Sequence, residues 1–393
     1  MLKPFYYTAA LLLLWLQIIG NFDDREHPGS AERLAELTAG MPELKETVLL
    51  KGIPDSTKQR VDSITRDQAL ECACRVTVKV TDPDGNSHYS GFDGRKGERI
   101  TDFKGTIEIG SCSKMFTATS ILQLVEQKKL SLEDRLIDLI DDKTLLSGLM
   151  VTDSADYLGD VVLKQLLNHT SGLPEYFMDN DDEEIGVFGD STLIFTPVQL
   201  VRLAKRLHEP QFKPGSQFKY TNTNYILLGM ILEKYTGLTY QEYIRQNILN
   251  KAGLSNTYFP SEEVRKHRSP GHWNGRPSQM PPTLAGPAGE IISNLDDMDT
   301  FIREWGKGSF YREPSMMDTL RTAHFNPMGG GIGYGLGVIN LFKSLGHGGQ
   351  TFGYQSYMGF MPDKTSFVFG IDDASSSAWE LAIILQGSLV PLE

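Results

Sequence analysis

Residues 111–128 read SCSKMFTATSILQLVEQK, and the expected architecture is built around this stretch. Apolar residues recur along it at the spacing of one helix face, at Met115, Ala118, Ile121, Leu122 and Val125. The pattern predicts a largely buried helix that begins near Ser111.

Ser111-Cys112-Ser113-Lys114 is a Ser-x-x-Lys motif, whose first and last side chains share one face of a helix. A serine is a weak nucleophile until a neighbouring base takes its proton, and burial lowers the pKa of a lysine toward that role. The pattern alone is not specific, since it recurs at Ser216 and Lys219, where Pro214-Gly215 indicates a turn. A capping serine beside a solvated lysine is the structural alternative.

Tyr220-Thr221-Asn222 places a phenol and a carboxamide on one side of an extended tripeptide. Tyr220 is expected to relay a proton, as general base and later as general acid, if neighbouring cations depress its pKa. Asn222 is expected to hydrogen-bond a substrate amide or carbonyl. A turn with a half-buried tyrosine is the alternative.

The third polar element is Gly346-His347-Gly348-Gly349-Gln350, which precedes a strand-like run from Tyr354 to Met361. Glycines beside a polar residue on a strand allow another backbone to come close, as a substrate lying along a sheet edge requires. This element, which includes Gly349, is therefore a candidate substrate-binding segment. A glycine-rich hairpin without a binding role is the alternative.

These three motifs, in this order, resemble those of the serine β-lactamase and penicillin-recognising superfamily, in its class C β-lactamase-related branch. That branch contains class C β-lactamases, D-alanyl-D-alanine carboxypeptidases, family VIII esterases and D-amino-acid peptidases. The resemblance covers roughly residues 72 to 390 and includes further matches. These are Leu166 to Pro174 (LLNHTSGLP), Pro214-Gly215, Asn222 to Tyr225 leading into Leu227-Leu228-Gly229, and Ala288 to Ser293 (AGEIIS).

The resemblance implies a role for four residues of the first two motifs. Ser111 would be the acylated nucleophile, and Lys114 would activate it. Tyr220 would shuttle protons in acylation and deacylation, and Asn222 would bind the substrate amide. Whether Lys114 or Tyr220 first takes the serine proton stays open at this point.

In the third motif, the resemblance implies an oxyanion hole formed by the backbone N–H groups of Ser111 and Gln350. His347 stands where class C β-lactamases usually carry Lys. An unperturbed histidine is only about one quarter protonated at pH 7, so a cation for a substrate carboxylate is mostly absent. This favours esterase or carboxypeptidase-like chemistry over an efficient β-lactamase. His169 belongs to a motif that looks structural in the family and is not expected in the site.

Strand patterns occur on both sides of a helical middle. They predict an α/β fold with a mixed or antiparallel sheet built from both parts of the chain, flanked by helices, and an inserted all-helical subdomain. We expect a helical segment at 32–71, a sheet subdomain at about 72–129 and 285–390, and a helical subdomain at about 130–284. The predicted strands are Arg75 to Val80, Ser87 to Gly91, Gly335 to Leu341, Tyr354 to Met361 and Ser366 to Ile371, and the predicted helices include Ser56 to Leu70, Tyr225 to Tyr235, Tyr240 to Asn250 and Ser377 to Leu389.

The composition excludes some functions and suggests a compartment. Of 393 residues, 40% are apolar and 22% charged, and the net charge of -12 repels phosphate backbones, so nucleic acid is not expected as a partner. Lys3 precedes an apolar run from Ala9 to Ile19 that has the length of a signal-peptide core. Residues 1–31 are therefore expected to direct export to the periplasm or the medium, or to remain as a membrane anchor.

Neither a disulfide framework nor a metal or other cofactor is expected. Cys72 and Cys74 are predicted to lie on a strand with Cα atoms about 6.6 to 7 Å apart, at or beyond the limit for a bridge. The acidic run Asp179 to Glu184 lacks the glycine of a calcium-binding loop at its sixth position. None of the eight histidines belongs to a His-Glu-x-x-His motif.

The sequence thus predicts a metal-free serine hydrolase that forms an acyl-enzyme with an ester or a peptide ending in a D-residue. A β-lactamase is the first alternative. A catalytically weak binding or scaffold protein that keeps the fold is the second, because motifs prove neither a depressed lysine pKa nor access to the site.

Overall fold

The computed structural model describes residues 52–152, 155–177, 192–260, 270–281, 283–313, 315–322, 326–329, 331–342 and 344–389. The expected export segment at 1–31 and the acidic run at 179–184 lie outside these ranges. Within them, no helix combines the length and the apolar character needed to cross a bilayer.

Strands from both parts of the chain form the main sheet. The strands are β1 (Arg75–Thr81), β2 (Ser87–Asp93), β3 (Glu98–Arg99), β4 (Ile107–Glu108), β5 (His272–Trp273), β6 (Arg276–Pro277), β7 (Ile292–Ser293), β8 (Asn326–Gly329), β9 (Ile332–Tyr334), β10 (Ile339–Leu341), β11 (Ser344–Gln350), β12 (Gln355–Phe360) and β13 (Ser366–Ile371). Nine of the described strands pair in the order β3-β2-β1-β13-β12-β11-β10-β9-β8, and all of these pairs are antiparallel. The remaining four form the small pairs β4-β7 and β5-β6.

Helices cover the sheet and fill the middle of the chain. In chain order over the described residues they are α1 (Asp55–Cys72), α2 (Ser113–Glu126), α3 (Leu136–Leu139), α4 (Lys143–Leu146), α5 (Leu163–Leu167), α6 (Pro197–Leu207), α7 (Asn222–Thr236), α8 (Tyr240–Ile244), α9 (Asn250–Ala252), α10 (Leu295–Lys307), α11 (Ser315–Thr322) and α12 (Ala378–Leu389). The predicted α/β class and the antiparallel sheet built from both parts of the chain are confirmed.

Strand β1 shows how the alternating pattern separates the two faces of the sheet. Its residues Val76, Val78 and Val80 are buried in one apolar cluster with residues of α1 and α12. Successive side chains of a strand point to opposite faces, so Lys79 and Thr81 meet α10 on the other side. Each buried valine contributes about 1.5–3 kcal/mol by leaving water.

Some element boundaries differ from the sequence prediction. The strand expected from Gly335 to Leu341 is reduced to β10, Ile339–Leu341. The helix expected from Tyr240 to Asn250 is interrupted by a π-helical segment, Arg245–Leu249, between α8 and α9. Apolar periodicity does not distinguish an α-helical turn from a π-helical one, because the two differ by one residue per hydrogen bond.

The prediction for Cys72 and Cys74 is wrong, because the two residues form a disulfide. Cys72 ends α1 instead of lying on a strand, and Ala73 adopts a left-handed conformation with φ 45°. This sharp turn brings the two Cα atoms to 5.2 Å, within the range that a bridge requires.

Candidate active site

The serine turn lies directly against strand β11. Ser111 is in a short 3-10 helix, Gly110–Cys112, just before α2. A Cβ at Gly110, whose φ is +50°, would lie 2.6 Å from the backbone N of Gln350, and a Cβ at Gly349 would lie 1.9 Å from the carbonyl oxygen of Ile109. Both glycines are therefore required by this contact. The close approach expected at Gly349 is made by the protein's own backbone.

Lys114, on the first turn of α2, is fully buried, and its ammonium nitrogen contacts three oxygens. Nζ lies 3.0 Å from Ser111 Oγ, 2.7 Å from Asn222 Oδ1 and 2.8 Å from the carbonyl oxygen of Ala288. Burial lowers the pKa of Lys114 to about 7, although the charge of Glu175 opposes the shift. The free base of Lys114 is therefore accessible near neutral pH.

Asn222 is brought to Lys114 by the start of helix α7. The helix begins at Asn222, after Thr221 in extended conformation, so the side chains of Tyr220 and Asn222 both face the serine turn. The sequence analysis expected this carboxamide to hydrogen-bond the substrate. Its oxygen accepts a hydrogen bond from Lys114, and its nitrogen reaches the carbonyl of Phe177 at 3.5 Å.

Tyr220 is buried, and its hydroxyl finds no hydrogen-bond partner among the described residues. Lys114 Nζ lies 4.7 Å from the centre of its ring. The sequence analysis expected cations to depress the pKa of this phenol. Burial instead raises the Tyr220 pKa well above 10, and the nearby Ser111 hydroxyl offsets only part of that shift. A phenol in this state is a proton donor.

His347 is held in β11 as a neutral imidazole. Its Nδ1 lies 2.6 Å from the carbonyl oxygen of Gly348, so Nδ1 carries the proton. Nε2 then accepts from the Tyr334 hydroxyl at 2.9 Å. Burial lowers the pKa of His347 to about 3, and the charge of Lys114 contributes. Protonation of His347 near neutral pH is therefore disfavoured.

A cleft opens beside Ser111. Among the described residues its lining includes no Lys, Arg, Asp or Glu. Tyr220, Asn222, His347, Gly349 and Gln350 of the predicted site all line it, together with the aromatic residues Tyr176, Phe177, Phe352 and Trp379. All of the predicted site residues except Lys114 line this apolar cleft, and Lys114 is buried behind it in contact with Ser111.

The Gln350 side chain lies in the cleft wall. Its Nε2 donates to the carbonyl of Ala374 at 3.2 Å, on the loop that leads into α12. Its backbone N borders the serine turn, next to Gly110. The position is consistent with the oxyanion-hole donor that the family resemblance implies.

Two buried residues behind the cleft were not predicted as site residues. His169, in a left-handed conformation with φ 57°, accepts from the backbone N–H of Thr221, and its ring centre lies 4.2 Å from that of Tyr220. Glu175 accepts a hydrogen bond from the backbone N–H of Asn222. Neither contact has a local sequence signal, because the partners are 52 positions apart for His169 and 47 positions apart for Glu175.

The second Ser-x-x-Lys and the buried cysteine take no part in the site. Ser216 Oγ donates to the carbonyl of Lys213 in an exposed turn. Cys112 is buried next to Ser111, but burial raises the pKa of its thiol to about 12, so it is not a nucleophile at neutral pH. Within the described part of the chain no cluster of His, Cys, Asp and Glu could hold a metal ion.

The motif residues thus form one constellation with defined chemical capacities. Ser111 offers a hydroxyl at a half-buried cleft wall, Lys114 offers a base, and Tyr220 offers an acid. A carbonyl carbon placed at Ser111 could be attacked and its leaving group protonated without a metal.

A family model described as Beta-lactamase matches residues 78–385 of the chain. Among curated proteins, a penicillin-binding protein of Bacillus subtilis is 30% identical over 185 residues, which are 46% of this chain and 36% of that protein. Penicillin-binding protein 4 of Amycolatopsis lactamdurans is 26% identical over 277 residues, which are 64% of this chain and 68% of that protein. The chain thus spans about a third of the Bacillus subtilis relative.

Solved structures share the fold of this chain. A D-stereospecific amidohydrolase from Streptomyces sp. superposes with a TM-score of 0.68 at 27% identity, over 84% of this chain and 98% of that one. A D-amino acid amidase from Ochrobactrum anthropi SV3, in complex with L-phenylalanine amide, gives a TM-score of 0.69 over 85% of this chain and 97% of that one. At 20% identity, the second likeness concerns the fold alone.

Proposed function

The chain belongs to the beta-lactamase family, and from that premise we propose that it is a serine hydrolase that forms and then hydrolyses an acyl-enzyme at Ser111. The superfamily assigned from the three motifs agrees with the match over residues 78–385.

One observation carries the proposal, the set of partners around Lys114. Two of its three contacts, Asn222 Oδ1 and the Ala288 carbonyl, are oxygens that can only accept. A neutral amine has two N–H donors and one lone pair. With both donors used on those oxygens, the lone pair faces Ser111 Oγ at 3.0 Å, as a general base requires.

The reaction then follows from the proton positions. Lys114 takes the Ser111 proton while Oγ forms a bond to the substrate carbonyl carbon, and the carbonyl oxygen becomes an oxyanion at the backbone N–H groups of Ser111 and Gln350. The bond to the leaving group breaks as Tyr220 donates its proton, which the Lys114 ammonium replaces. In deacylation, Tyr220 takes a proton from water while it passes its own proton to Lys114, and the water oxygen forms a bond to the acyl carbon. The bond from this carbon to Oγ then breaks as the Lys114 ammonium returns a proton to Ser111, which releases the acid.

The lining of the cleft favours a substrate without a charged group. Its described lining has no ionised side chain, and both nitrogens of His347 are bonded within the protein. A substrate carboxylate would lose its hydration without a compensating cation there. We therefore propose an ester or an amide without a free carboxylate, and the name of the Streptomyces relative makes D-amino-acid amides the first amides to test.

A fluorophosphonate probe tests the enzyme class. The wild type should become labelled on the peptide that contains Ser111, and Ser111→Ala should not. A p-nitrophenyl ester, D- and L-phenylalanine amides, a D-alanyl-D-alanine peptide and nitrocefin then compare substrate classes. Turnover confined to nitrocefin would indicate a β-lactamase, and absence of labelling and turnover would leave only the scaffold alternative.

We also propose that the protein works outside the reducing cytoplasm. The apolar run from Ala9 to Ile19 supports export, and the Cys72–Cys74 disulfide suits an oxidising compartment. Fractionation of cells expressing the chain with a C-terminal tag tests this, and recovery in the cytosolic fraction would contradict it.

A further inference from the structure

The carboxyl group of Glu175 is buried and accepts three backbone N–H groups. Oε1 accepts from Tyr176 at 2.8 Å and from Phe177 at 2.9 Å, and Oε2 accepts from Asn222. Asn222 is the first residue of α7, so the carboxylate satisfies one of the amides that a helix start leaves without an intrahelical partner. Glu175 thereby joins the aromatic wall of the cleft to the start of the helix.

Asn222 connects this carboxylate to the proposed base. Its backbone N–H binds Glu175, and its side-chain oxygen accepts from Lys114 Nζ at 2.7 Å. Any displacement of the Asn222 backbone would therefore move the oxygen that holds one of the two Lys114 donors. Only one residue separates the Glu175 carboxyl from the amine.

The titratable groups around Lys114 come from every element that packs on it. The rings of Tyr220 and Tyr225 face Nζ at 4.7 and 5.4 Å. The remaining ones are Cys112 on the serine turn, His169, Glu175 and His347. Burial keeps both histidines neutral and raises the pKa of the Cys112 thiol, so Glu175 is the carboxyl group of this set.

The charge of Glu175 acts on the protonation of Lys114. Burial raises the pKa of Glu175 to about 7, although three backbone N–H groups favour its ionised form. When Glu175 is ionised, its charge raises the pKa of Lys114 against the effect of burial. The pair therefore titrates together near neutral pH.

We propose that Glu175 is a positioning residue, whose buried carboxylate fixes Asn222 beside Lys114 and places a negative charge one residue away from the amine. This charge influences the pH at which Lys114 becomes the free base. This inference rests on the function proposed above. Glu175 touches neither the substrate carbonyl nor Ser111 in this role.

Glu175→Gln removes the charge and keeps the shape. Without the anion, Lys114 should lose its proton at lower pH, so the acid limb of kcat/KM for a neutral ester should move down by about one pH unit. The amide also turns an NH₂ group toward one backbone N–H, so kcat should fall about tenfold through misplacement of Asn222. Glu175→Asp keeps the charge and should retain the acid limb even if kcat falls.

Glu290→Gln is the matched control. Glu290 is also buried, and burial also raises its pKa to about 7. It accepts a hydrogen bond from Gln241. Glu290 lies two residues after Ala288, whose carbonyl contacts Lys114. Its removal should leave the acid limb in place. An unmoved limb in Glu175→Gln, or an equal shift in Glu290→Gln or Glu175→Asp, would overturn the inference.

A measurement on the wild type covers the case in which Glu175→Gln does not fold. The ¹⁵Nζ signal of Lys114 should titrate in two overlapping steps near pH 7, and a single step would overturn the coupling. The two proposals fail differently. An unlabelled, inactive wild type overturns both, whereas an active, Lys114-dependent wild type with an acid limb indifferent to Glu175 overturns only this inference.

Discussion

Lys79 and Lys114 are both buried, but they lie in two regions with different partners. Lys79, on β1 and facing α10, contacts Asp296 at 2.8 Å and Asp299 at 3.1 Å. Burial alone would lower its pKa, yet the two aspartates raise it above the ordinary value. Lys114 contacts two neutral carbonyl oxygens and a hydroxyl, and its pKa falls to about 7.

The difference shows that burial by itself does not make a lysine a base. An anion within contact distance compensates for lost hydration and fixes the ammonium, whereas neutral acceptors leave desolvation to prevail. The β1–α10 region therefore holds a structural ion pair, and the region between α2 and α7 holds a group that can exchange its proton. Four measurements test this contrast.

The largest effect should come from removing the nitrogen of Lys114. Lys114→Met keeps the approximate length of the side chain but takes away the base, so kcat/KM for a p-nitrophenyl ester should fall by about 10³-fold or more. Melting temperature and circular dichroism establish that the variant is folded. Activity within tenfold of wild type would mean that another group takes the serine proton.

The same substitution at Lys79 should affect stability instead of chemistry. Lys79→Met leaves the buried Asp299 without its cation, so the free energy of unfolding in urea should fall by about 3 kcal/mol. Activity per folded molecule should stay within about threefold of wild type, since Lys79 lies outside the cleft. A second change, Asp299→Asn, should restore part of the stability; a loss below about 1 kcal/mol would contradict the structural ion pair.

Asn222→Asp should give Lys114 the kind of partner that Lys79 has. In the wild type the active fraction should rise as pH passes about 7, where the amine loses its proton. A carboxylate in place of Asn222 Oδ1 should move this limb up by at least about one unit and lower kcat/KM at pH 7 about tenfold, with recovery at higher pH. Asn222→Ala is the control, because it removes the contact without adding charge. If the limb moved down or did not move in Asn222→Asp, the conclusion that an anionic partner raises the pKa of a buried lysine would be wrong.

The smallest effect concerns His347, which is also buried and, like Lys114, has only neutral hydrogen-bond partners among the described residues. Its pKa of about 3 means that the imidazole should remain neutral from pH 8 down to pH 5. The ¹³Cε1 signal, assigned by its loss in His347→Gln, should show no titration over that interval. A midpoint between 6 and 7 would restore a cation to the cleft and make carboxylate-bearing substrates acceptable.

Several features could be read from local patterns. The period-two alternation of β1 and the whole of β13, Ser366–Ile371, follow from the geometry of an extended chain. The i, i+3 spacing of Ser111 and Lys114 brings both side chains to one face in any helical turn. Tyr220 and Asn222 share a side of an extended tripeptide for the same kind of reason.

Other features could not be read in this way. The bend at Ala73 that permits the Cys72–Cys74 bridge is a left-handed conformation at a non-glycine residue, which no local propensity favours. The raised pKa of Tyr220 depends on how deeply the packed protein buries the ring. The carboxyl of Glu175 reaches Asn222, 47 positions along the chain, only in the folded protein.

Local order along the chain placed Lys114 beside Ser111 and Tyr220 on the same side as Asn222, because backbone periodicity acts between residues two to four positions apart. The folded structure brought these two pairs together. Tertiary packing decided what those side chains do. Lys114 and Asn222 are 108 positions apart, and Lys79 and Asp296 are 217 apart. Desolvation and the charge of distant partners set the protonation of each lysine, and those quantities exist only once the chain has folded.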